Sequence, residues 1–209
     1  MISFFYCSVV VSNCLLLTAF IYGKYIKVPL YKKQIKWYII YLEFILGVEL
    51  ITKILIFLFK VKNTEFLYPF YIAGEFFLLS QLFLVTLKVH KKWKVITSFI
   101  TCCIFTEAFF LWFTENPVST SSGKIFSNLI IVFIIAYQLI KNLKKLALQS
   151  HLIIIYSALF LYYSTSLFLF LLMNQLTTEN ISIWTVNNML SSILYSSSIY
   201  AFYKLKRLL

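Results

Sequence analysis

The chain has 209 residues, 61% of them apolar and only 12% charged, with a mean hydropathy of +0.87 and no aspartate. A soluble domain is roughly 45–50% apolar and about a quarter charged, so this composition excludes a soluble globular protein and leaves no room for a separate soluble domain. The net charge of +12 would suit a nucleic-acid partner, but the way the charge is distributed argues against one.

A bilayer core about 30 Å thick needs around 20 apolar residues of helix, and seven segments meet or approach that length. The first, 2–23, has nothing basic before Lys24, so it lacks the positive leading region of a cleaved signal peptide. It is expected to be an uncleaved span inserted with its N-terminus outside. A basic patch follows (Lys24, Lys27, Lys32, Lys33, Lys36), then a second span over 37–59 that contains Glu43, Glu49 and Lys53. Lys60, Lys62 and Glu65 occupy the next loop. The third span, 67–87, carries Glu75 and ends at Lys88, Lys91, Lys92 and Lys94, with His90 among them.

The fourth span, 95–114, contains Cys102, Cys103 and Glu107. The stretch from Glu115 to Lys124 (ENPVSTSSGK) reads as a turn because it combines Pro, Gly and serines. The fifth span, 125–140, is short, with an amphipathic extension toward Leu148. Lys141, Lys144, Lys145 and His151 separate it from the sixth span, 152–173. Glu179 lies before the seventh, 181–203, which ends at Lys204, Lys206 and Arg207.

Of the 19 basic residues, 15 fall in the four patches, while Lys60, Lys62 and Lys124 are assigned to the alternate loops. Each alternate loop also carries one glutamate (Glu65, Glu115, Glu179). Basic residues alternating loop by loop are the positive-inside signature. The pattern predicts an N-terminus outside, a C-terminus in the cytoplasm, and a multi-pass protein of the cell inner membrane. Topology and anionic headgroups therefore explain the lysines better than DNA or RNA does. The expected fold is an all-α polytopic bundle of about seven transmembrane helices, forming a single transmembrane domain over 1–209. Trp37, Tyr38, Tyr68, Trp93, Trp112, Trp184 and Tyr203, near span ends, suit an interfacial aromatic belt.

Charges inside spans cost about 2.5–3.5 kcal/mol each on insertion scales and normally face the interior and pair. Glu49 and Lys53 are four residues apart with the glutamate first, the favoured order for a pair on one helix face. Tyr68, Tyr71 and Glu75 share a stripe, so a phenol can reach the carboxylate. In the seventh span Asn188, Ser191, Ser192, Tyr195 and Ser198 recur at helical spacing, beside Asn187. Serine-rich stripes also serve close helix packing alone. Glu49, Lys53, Glu75 and Asn188 form the candidate intramembrane polar cluster, either a structural network or the lining of a cavity open to the outer side.

No catalytic set, metal site or cofactor is expected. His90 and His151 stand beside lysines at cytoplasmic span ends, where they would be solvated. Zinc chemistry needs several inward ligands at one depth. Cys7, Cys14, Cys102 and Cys103 form no CxxC pattern and read as small packing residues. A retinal protein needs a lysine within the last helix, and none precedes Lys204; phosphate-binding glycine loops are absent too.

Four stretches carry a resemblance: ELI (Glu49 to Ile51), YIAGEFFLLSQLF (Tyr71 to Phe83), LYYSTSLFLFLL (Leu161 to Leu172) and WTVNNMLSSILY (Trp184 to Tyr195). Through them the chain resembles small seven-helix bacterial membrane proteins, including the membrane accessory proteins encoded beside the RNA-targeting effector of type VI-B CRISPR loci. The resemblance implies a non-enzymatic regulator of antiviral defence at the inner membrane, and it supplies no catalytic residues. Two alternatives stand beside this: a small transporter or channel using intramembrane carboxylates, and a membrane sensor coupled to a signalling partner. The expected partners are the lipid bilayer and a cytoplasmic protein at the basic loops, and an oligomer is compatible with the sequence.

Overall fold

An apolar segment withdrawn from water must satisfy its own backbone, and a continuous helix does so. In a computed structural model describing residues 2–26, 33–114, 121–144, 150–173 and 181–207, all regular structure among the described residues is helical. The helices are α1 (Ile2–Tyr25), α2 (Lys33–Phe57), α3 (Tyr68–Leu87), α4 (Lys91–Phe113), α5 (Ser122–Lys144), α6 (Ser150–Met173) and α7 (Ile181–Lys206). A 3-10 turn at Glu65–Leu67 leads into α3.

Five of these helices, α1, α3, α4, α5 and α6, are long and apolar enough to cross a membrane. Helices α2 and α7, with 25 and 26 residues, reach roughly 38 Å at 1.5 Å per residue but carry more charged or polar side chains. The first carries Glu43, Glu49 and Lys53, the second its asparagines and serines. The fifth helix is longer than the expected 125–140, with 23 residues from Ser122. Much of the surface is apolar where a soluble protein would be polar. Val10, Phe99, Phe110, Phe133 and Phe168 are each more than half exposed, as lipid-facing side chains would be.

Two compact units make up the chain: one is Pro29–Ser127, the other Met1–Val28 with Asn128–Leu209. In the first, α3 lies between α2 and α4. The phenyl ring of Phe44 in α2 sits against Gly74, where any Cβ would collide with it. Phe70 of α3 meets Phe105 of α4 edge to face, with ring centroids 5.1 Å apart. Helices α3 and α4 are joined by a tight reversal. Lys88 takes the left-handed conformation (φ 54°) with its N–H donating to the Leu84 carbonyl, and the His90 side chain accepts from the Lys92 N–H. This antiparallel order collects Lys33, Lys36, Lys88, Lys91, Lys92 and Lys94, all exposed, at one end.

In the other unit α7 packs between α1 and α6. Near the N-terminal ends of α1 and α7 the Asn188 amide donates to Ser8 Oγ at 3.4 Å. At their C-terminal ends the Lys206 ammonium lies 5.3 Å from the centre of the Tyr25 ring. The first and last helices therefore run parallel. Buried Leu16 and Ala19 from α1, Tyr156 and Leu159 from α6, and Leu194, Phe202 and Leu205 from α7 belong to this unit.

Several expectations need correction. Tyr38 faces inward rather than outward: it is fully buried and stacks on Tyr41. His151 is buried rather than solvated, although His90 is exposed. All four cysteines are exposed, on outward faces of α1 and α4, rather than packed inside. Lys27, Lys32, Glu115, Lys145 and Glu179 lie outside the described residues.

Candidate functional site

The most polar part of the Pro29–Ser127 unit lies where α3, the end of α4 and the first turn of α5 meet. Glu75 sits two turns into α3, with Tyr71 one turn before it on the same face, and the Tyr71 hydroxyl donates to Glu75 Oε1 at 3.1 Å. The second carboxylate oxygen accepts from the Lys124 ammonium at 2.6 Å. Both side chains are buried, Glu75 at 2% exposure and Lys124 at 9%. The ammonium also lies 5.2 Å from the Tyr71 ring centre, within cation–π range. Carboxylate, phenol and ammonium thus form one cluster, with each charge neutralised by the other.

Lys124 is therefore not a loop residue, as its sequence neighbourhood suggests. It belongs to the first turn of α5, and that turn is held by a second carboxylate. A helix start leaves unsatisfied backbone N–H groups, and a negative charge there is favourable. Glu107 of α4 supplies it. Its Oε2 accepts from the Gly123 N–H (2.9 Å) and the Ser121 hydroxyl (3.0 Å), and its Oε1 accepts from the Ser122 hydroxyl (2.9 Å). Ser121 Oγ in turn accepts from the Lys124 N–H at 3.2 Å, the bond of a helix N-cap. A Cβ at Gly123 would meet the Glu107 carboxylate, which would have to move off the helix start. The sequence SSGK thus does two things: the serines and glycine take up Glu107, and the lysine beside them takes up Glu75.

The residues expected to form the polar cluster divide as follows. Glu75 has the partners just described. Glu49 and Lys53 lie one turn apart on α2, both half-buried. Asn188 belongs to the other unit, where its amide donates to Ser8. Ser191, Ser192 and Ser198 of the α7 stripe each donate back to the carbonyl four residues earlier, a local bond common for serines in helices. Glu43 is exposed.

Sequence reading missed Lys124, Ser121 and Gly123. The usable signal was a Ser-Ser-Gly-Lys run directly before an apolar segment, which fits a helix N-terminus as well as a turn.

Chemically, the cluster is a set of charge-assisted hydrogen bonds. Among the described residues there is no group of three or more His, Cys, Asp or Glu able to hold a metal ion. Comparison of the chain with family models, with curated proteins and with solved structures gives no match.

Proposed function

We propose that the chain is a seven-span protein of the inner membrane, N-terminus outside and C-terminus in the cytoplasm, acting as a non-enzymatic accessory or regulatory protein. Its working surface is the lysine-rich cytoplasmic end. The parallel packing of α1 on α7 supports the span count. Parallel neighbours need an odd number of crossings between them, and the four apolar helices α3 to α6 are an even number. If α1 crosses, α7 beside it crosses too, and α2 must supply the fifth crossing between them. The charges of α2 and the polar stripe of α7 are then carried within spans.

The observation that carries the functional reading is the contrast between the two ends of the Pro29–Ser127 unit. One end turns six lysines outward. The other exposes two, Lys60 and Lys62, and buries Lys124 against Glu75. A charge kept exposed is available to a partner; a charge locked in a buried pair is committed to the fold. The resemblance to accessory proteins of RNA-targeting CRISPR loci gives that partner a class: the effector, or a component acting with it. Co-expression with a type VI-B effector and its guide RNA, read as interference against a target transcript, tests this. The expected result is a change in interference on co-expression that is lost when Lys91, Lys92 and Lys94 are replaced together by alanine. Unchanged interference with the intact chain would overturn the reading.

A second reading, a small transporter, is favoured by one observation: a carboxylate and an ammonium buried together beside a phenol. Proton or cation flux in liposomes that disappears with Glu75→Gln would support it. The mutual neutralisation of the buried pair favours the structural role.

A further inference from the structure

The connector between α2 and α3 and the last turn of α4 border an open groove of about 500 Å³ lined by Asn63, Glu65, Trp112 and Phe113. It lies at the end of the unit opposite the six exposed lysines, because α3 begins and α4 finishes there. The connector is shaped by the Glu65 N–H donating to Asn63 Oδ1 at 2.8 Å, which sets Glu65 at the head of the 3-10 turn. Glu65, Trp112 and Phe113 are all exposed.

A carboxylate flanked by an indole and a phenyl ring is suited to an alkylammonium ion. The rings attract a cation through their negative faces, indole most strongly, and the carboxylate neutralises it. An anionic ligand would be repelled by Glu65, and a purely apolar one would leave the carboxylate and the Asn63 amide facing it. The depth supplies the rest. Trp concentrates at the headgroup level of a bilayer, so the ammonium most available to Trp112 at the end of α4 is that of a phospholipid. Lys62, exposed on the same connector, adds a cation suited to the phosphate of a zwitterionic headgroup.

We propose that this groove binds the ammonium headgroup of phosphatidylethanolamine, with Glu65 as counter-ion and Trp112 as the aromatic wall. The proposal goes beyond the reading above and does not depend on the lysine-rich end.

The test uses the purified full chain in detergent, equilibrated with equal amounts of short-chain phosphatidylethanolamine and phosphatidylglycerol, with bound lipid counted by native mass spectrometry. The expected result is more phosphatidylethanolamine than phosphatidylglycerol on the wild type, and a loss of that adduct of about fivefold or more in Glu65→Gln and in Trp112→Ala. Trp112→Phe should retain part of it, and phosphatidylglycerol binding should not change. Unaltered elution on size exclusion checks that the variants fold. Undiminished phosphatidylethanolamine binding by Glu65→Gln would overturn the site. Free ethanolamine displacing the lipid at equal concentration would overturn the lipid as its source.

Discussion

Replacing Glu75 with glutamine keeps the shape of the side chain and removes its charge, leaving the Lys124 ammonium buried without a counter-ion. The two side chains are 2% and 9% exposed and 2.6 Å apart, so water screens the pair little. Removing one partner of such a pair costs about 3–5 kcal/mol, mostly the penalty of the orphaned charge. The Tyr71 hydroxyl can still donate to the new amide oxygen, which puts Glu75→Gln near 3 kcal/mol. Lys124→Met should cost a similar amount for the opposite reason. The double variant Glu75→Gln/Lys124→Met leaves no orphaned charge, so its cost falls to about 1–2 kcal/mol, the worth of the lost hydrogen bonding. The coupling energy of the cycle is then roughly 4 kcal/mol, well above what residues without a shared network show. Tryptophan fluorescence during titration of mixed micelles with dodecyl sulfate gives the four stabilities. Single variants costing under about 1 kcal/mol, or a double variant equal to their sum, would refute the idea that this pair holds the first turn of α5 against α3.

Three further outcomes are expected in the same assay. Gly123→Ala pushes the Glu107 carboxylate off the start of α5, so it should destabilise by about 1–2 kcal/mol although alanine is the better helix former. Lys88→Gly relieves a left-handed lysine at the end of α3 (φ 54°) and should stabilise by about 1 kcal/mol. Asn188→Ala loses one long hydrogen bond to Ser8, at 3.4 Å, and should cost only about 0.6 kcal/mol, the usual worth of such a bond between membrane helices.

Local spacing was readable in the sequence wherever both partners lie on one helix. The Tyr71–Glu75 hydrogen bond follows from a four-residue separation, and the apolar runs locate the helices to within a few residues. Interactions across helices were not readable. Lys124 looks like a loop charge because its partner is 49 residues away in sequence. A hydropathy window therefore starts the fifth span too late and makes it too short. Recognising that Glu75 neutralises Lys124 also removes one lysine from the count of free charges at that end, which sharpens the charge asymmetry between the two ends. Tyr38 shows a related limit. Its position near a span end fits an interfacial ring, but burial depends on which face of α2 meets its neighbours, and Tyr38 faces inward to stack on Tyr41. The cysteines show the converse. Their small size suits packing, yet the faces that carry them point outward.

The orientation of the helices tests the central claim most directly. With Cys7, Cys14, Cys102 and Cys103 replaced by serine, single cysteines are placed at Lys62, Lys92 and Arg207, and spheroplasts are exposed to a membrane-impermeant maleimide. The expected result is labelling at position 62 in intact spheroplasts, and labelling at 92 and 207 only after lysis. Labelling of position 92 or 207 in intact spheroplasts would contradict a lysine-rich cytoplasmic end, and with it the functional reading built on that surface.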